Sequence, residues 1–125
     1  MSTPIIPVSW GELLDKIAIL EIKTNRLRAP EARANAAREL AMLRQAASFP
    51  SGLAELEAAL MAVNTRLWRI EDLIREKEAN GDFGPGFVAL ARAVYHENDE
   101  RGRIKQAVNR ALRSVLVEEK QYAAY

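Results

Sequence analysis

Apolar residues recur every three or four positions along most of this chain, the spacing of helices that bury one face. The clearest run is Leu53, Leu56, Leu60, Val63, Leu67, Ile70 and Ile74, which predicts a helix over 52–79. A second long helix is predicted over 85–117, from Phe87, Leu90, Val94, Ile104, Val108, Leu112 and Val115. Gly102 lies inside it and suggests a kink or a close helix crossing. Two shorter helices precede these. Residues 9–28 carry Leu13, Leu14, Ile17, Leu20 and Leu27 on one broad side. Residues 31–47 are alanine-rich, with a thin stripe of Ala36, Leu40, Leu43 and Ala47 that can only cover the others.

The boundaries have local causes. Ser9 followed by Glu12 fits a capping box, in which each side chain reaches the other residue's backbone N–H. Pro30 and Pro85 suit first helical turns, and Gly81 suits a left-handed stop. Phe49-Pro50-Ser51-Gly52 reads as a turn with Ser51 as helix cap. Pro4 and Pro7 make residues 1–8 an extended arm, and Ile5, Ile6 and Val8 suggest that it packs on something. The expected fold is an all-α antiparallel bundle of about four helices, two short and two long, forming one domain over 9–125. The mismatch in helix length leaves an apolar flank for another subunit, so a homo-oligomer, a dimer in the simplest case, is expected.

Composition narrows the chemistry. Lys and Arg number 18 against 17 Asp and Glu, so no general electrostatic pull toward nucleic acid or anionic membrane is expected. With no cysteine and a single histidine, His96, thiolate zinc sites, cysteine nucleophiles and multi-histidine metal sites are excluded. No secretory leader or membrane span is read in the sequence, and a cytoplasmic location is expected.

Some polar residues fall where a plain bundle would put apolar ones. Glu21 lies roughly 20° from Leu14 on the first helix. Asn64 and Glu71 flank Leu60 and Leu67. On the last helix Glu97 and Arg101 project near the centre of the stripe, with Asn98 and Lys105 at its edge. If Glu21, Glu71 and Glu97 share a level they form either a structural network with the arginines or a ligand site. Three carboxylates with asparagines suit Mg²⁺, and the arginines suit an anionic nucleotide or sugar nucleotide.

The segments VSWGELLDKIAILEIKTNRL, Asn35 to Leu43, VNTRLWRIEDLIREKEANGDFGPGFVALARAVYHENDERGRIKQAVN and VEEKQY together resemble an uncharacterised bacterial family of short helical domains of unknown function. The resemblance implies a helical fold and a neighbourhood of glycosyltransferase and tetratricopeptide-repeat sequences, hence a link to glycan or cell-surface polymer metabolism. Two weaker likenesses are to helical chorismate mutases, whose arginine before Leu13 is missing, and to all-α nucleoside triphosphate pyrophosphohydrolases, whose first glutamate pair is missing. The leading expectation is a non-catalytic interaction or assembly module. The alternative is a small-molecule site, Mg²⁺-dependent or not, built from Glu21, Asn64, Glu71, Glu97, Asn98 and Arg101.

Overall fold

In the computed structural model, which describes residues 2–125, the periodic segments form α1 (Trp10–Arg26), α2 (Pro30–Gln45), α3 (Ala54–Ala79) and α4 (Pro85–Ala111). No strand occurs among the described residues. The arm, residues 2–8, has no regular secondary structure and is exposed throughout; Met1, which the expected arm includes, lies outside the described residues.

α1 is the hub. It packs against each of the other helices, whereas α2 packs against α1 alone. Its buried residues explain this. Gly11, Leu14, Asp15, Ala18 and Ile22 fall on an arc of roughly 100°, while Leu20 points the opposite way. Leu14 and Ala18 join Leu60, Val63, Leu67, Ile104 and Val108 in the main core; Leu20 meets Ala36 and Leu40 of α2. The helix therefore has two buried faces, not one stripe, and α2 is a buttress on its outer side. Leu60, Val63 and Val108 are completely buried, each stabilising the fold by roughly 1.5–3 kcal/mol. α3 and α4 run antiparallel, since Asn64 meets Arg101 and Arg66 meets Glu97.

The long helices end alike. After α3, Gly81 takes φ 64°, and the Asp82 and Gly81 N–H groups donate back to Lys77 and Glu78 carbonyls. After α4, Ser114 and Arg113 donate to Asn109 and Arg110, and Arg113 takes φ 50°. α4 thus stops at Ala111 and not at the expected 117, because Ser114 turns back to the start of α1. An arginine in the left-handed region is strained by about 1 kcal/mol. Arg113→Gly should raise stability by roughly 0.5–1 kcal/mol, read as a higher urea midpoint at unchanged slope. Two other boundary expectations also shift. α3 begins at Ala54, capped by Leu53 without a side-chain bond, so Ser51 is not its cap. α1 stops at Arg26, with Leu27 extended.

Beyond α4 the chain runs back along it. Glu118 reaches Lys105, Lys120 lies over Gly102, and Tyr125 donates to Asp99 with its ring against Tyr95. Tyr122, the other tail tyrosine, is exposed.

Candidate functional site

The most concentrated polar chemistry lies where the start of α1 meets the end of α4. A helix begins with N–H groups that have no partner in the helix. Here each of the first three finds a side-chain oxygen. Trp10 N–H donates to Ser114 Oγ at 3.3 Å, Gly11 N–H to Asn109 Oδ1 at 2.7 Å, and Glu12 N–H to Ser9 Oγ at 3.1 Å. The serine half of the capping box is present. The expected return bond from Glu12 is not made, because its carboxylate goes to Lys105.

Lys105 is the centre of the seam. Its ammonium lies 2.8 Å from Glu12, 2.7 Å from Glu118 and 4.0 Å from buried Asp15. Asn64 Nδ2 donates to Asp15 Oδ1 at 2.8 Å, and Arg101 Nη1 donates to Asn64 Oδ1 at 3.2 Å. Arg101 Nε and Asn109 Nδ2 are buried without a partner among the described residues. Burial pushes the Lys105 ammonium down, but its bonds to Glu118 and Glu12 and the charges of Glu12 and Asp15 outweigh that and hold it above 10.5. The bond from Lys105 holds the Glu118 carboxyl below 4.5, against a smaller opposing effect of burial. The signs fix a pH profile. The Glu118 contribution is full above about 4.5 and is lost as pH falls through its lowered value. The Lys105 contribution is full below 10.5 and is lost as pH rises through its raised value. Urea unfolding across pH should show a plateau between these limits, and Glu118→Gln should flatten its acid side.

The Lys105 ammonium donates to Glu12 and Glu118, and Asp15 stands 4.0 Å away. The first three N–H groups of α1 are each taken by a protein oxygen.

Of the residues picked from sequence, Asn64 and Arg101 meet here. The others stand elsewhere. Glu21 pairs with Arg44 of α2, Glu71 with Arg75 one turn along α3, and Glu97 with Arg66 across the α3–α4 interface at 2.9 Å. Asn98 is half-buried on α4 and takes no part in the seam. The three glutamates each pair with a different arginine, and among the described residues no three acidic or histidine side chains gather to hold a metal ion. The reason is side-chain length: a glutamate near a buried stripe can swing its carboxylate out to a surface arginine. Lys105 stood at the edge of the sequence reading; Asp15 and Asn109 were missed. Gly102 is not the close crossing, for a Cβ there would meet only Lys120 Nζ at 3.7 Å. Gly11 is.

Two further features lie outside the seam. A groove of about 200 Å³ runs between α1, the end of α2 and the start of α3. Leu14, Ile17, Ala18, Phe49 and Met61 form its apolar lining, and the Glu21–Arg44 pair stands on its rim. At the other end of the molecule α3 and α4 continue as a two-helix finger. No residue from Trp68 to Arg103 is buried.

Four helices joined by a polar seam define a small all-α domain, and no helix among the described residues is long and apolar enough to cross a membrane. The chain belongs to the Family of unknown function (DUF6165), whose match spans residues 5–125. No curated protein and no solved structure matches the chain.

Proposed function

We propose that this chain is a non-catalytic helical assembly module that forms a homodimer through its α3–α4 finger. One observation carries the reading. The first three turns of α4, residues 85–96, are PGFVALARAVYH, with Arg92 as the single Lys, Arg, Asp or Glu. A helix that is apolar on all sides is normally buried on all sides. Here α3 covers one side, and of the tail only Tyr125 reaches this stretch, at Tyr95 and His96. Phe87, Leu90 and Val94 are half-buried, while Val88 and Tyr95 are 51% and 41% exposed. Two such fingers laid side by side make a four-helix bundle, the ordinary way in which paired helices close a core. A self-complementary patch of this kind suits a two-fold dimer. Leu73 on α3, 38% exposed, adds to the same finger. A cytoplasmic setting and a role in glycan or cell-surface polymer metabolism belong to this proposal as its context.

The test is a pair of substitutions, Val88→Glu with Ala89→Glu. Both residues are exposed, so the monomer's stability should change by no more than about 0.5 kcal/mol. Light scattering should show a dimeric mass for the natural chain and a monomeric one for the variant. A monomeric natural chain that nucleotides or sugar nucleotides stabilise against heat would replace this reading with a small-molecule site.

A further inference from the structure

The groove along α1 joins an apolar floor to a charged mouth. The buried Leu14 and Ala18 form the floor, and Phe49 and Met61 wall it from the α2–α3 connection and from α3. Trp10 packs edge-on against Phe49, with ring centroids 5.8 Å apart, so this wall is held by the core. The volume of about 200 Å³ is close to that of cavities that take one benzene ring. Three charged side chains line the same groove, Glu21, Arg44 and Glu57. Arg44 pairs with Glu21. Glu57, exposed in the first turn of α3, pairs with no cation among the described residues. The lining therefore keeps one uncompensated negative charge beside apolar surface.

We propose that this groove binds a small organic amine, a protonated amine on an apolar body about the size of one ring. The apolar body sits over Leu14 and Ala18 between Phe49 and Met61, and the ammonium donates to the Glu57 carboxylate at the mouth. Small-molecule sites commonly pair an apolar lining with a few polar groups that fix orientation. Charge then selects among ligands of one shape. A carboxylate on the same body would meet Glu57 and Glu21 as like charges, and an alcohol would forgo the ion pair. Arg44 does not reverse the preference, because Glu21 already engages it. No residue of 85–96 lines the groove, so the site stands apart from the finger.

Methionine supplies the readout. Met61 lines the groove, whereas Met42 lies outside it on α2 and is 52% exposed. In protein labelled at the methionine methyls, millimolar phenethylamine should shift the Met61 signal saturably and leave the Met42 signal in place. Phenethyl alcohol has the same shape without the charge and should bind about fivefold more weakly, the worth of one exposed ion pair. Hydrocinnamate, the anionic counterpart, should bind more weakly still. Glu57→Gln should erase the difference between amine and alcohol and leave the alcohol's affinity unchanged. Glu57 is exposed, so this variant keeps the fold. An unmoved Met61 signal, equal shifts at Met61 and Met42, an alcohol or acid that binds as tightly as the amine, or a preference for the amine that survives Glu57→Gln would each overturn the proposal. These outcomes are independent of the finger dimer, which light scattering reads separately.

Discussion

Replacing Gly11 by alanine should destabilise this protein by roughly 2–5 kcal/mol, although the same change in an exposed helix interior would stabilise it by about 1 kcal/mol. A Cβ at Gly11 would lie 2.5 Å from the Lys105 carbonyl oxygen and 3.0 Å from Asn109 Oδ1. The first of these is backbone and cannot step aside. Moving α1 away from α4 to make room would break the 2.7 Å bond from Gly11 N–H to Asn109, leaving both groups buried and unpaired. Gly102→Ala is the internal control. Its surroundings are open, so the ordinary helix preference should prevail and raise stability by up to about 1 kcal/mol. Urea denaturation of the two variants gives opposite signs if α1 crosses α4 at Gly11. The same sign for both would contradict that crossing.

The second large effect is at Lys105. Lys105→Met keeps much of the apolar stem but removes the cation shared by Glu12, Asp15 and Glu118. Asp15 is 4% exposed, and Asn64 alone would then hold a buried carboxylate. Breaking a buried pair in this way costs about 3–5 kcal/mol. The loss should shrink as pH falls, because the abandoned carboxylates can take up protons. Combining Lys105→Met with Asp15→Asn should restore part of the stability, since the asparagine keeps an acceptor for Asn64 Nδ2 and carries no charge. Thermal unfolding of the two single variants and the double variant forms a cycle. Strict additivity would show that Lys105 and Asp15 do not act together.

Much of the fold was legible because helix signals are local. The seven-position stripe of α3, the Ser9 cap, Pro30, Pro85 and Gly81 each act within a turn or two, and each element formed near its expected place. The hub was harder to see. A single wheel for α1 put Leu14 and Leu20 on one side, yet the first faces α3 and α4 and the second faces α2. With three neighbours around one helix, an apparent intruder such as Glu21 sits at the boundary between two buried faces, at the rim of a groove. Asp15, which no stripe singled out, is buried because its face meets Asn64. Asn109 gave no periodic signal at all, since its role is to cap a helix nearly a hundred positions earlier in the chain. Long-range caps of this kind depend on the packed arrangement, which no local pattern encodes. Asn64 and Arg101 were legible as polar groups on buried stripes, and they do meet. The glutamates were not, because the wheel fixes a Cβ direction and their carboxylates end several bonds away.

The finger bears on function most directly. Its sequence has the composition of a covered helix and its surroundings leave one side open. Sedimentation equilibrium of the unaltered protein, from micromolar to near-millimolar concentration, tests that tension without any substitution. The account predicts a reversible shift from one chain to two, with the Val88→Glu, Ala89→Glu variant displaced toward the monomer. A single-chain mass that holds across the whole range would contradict it.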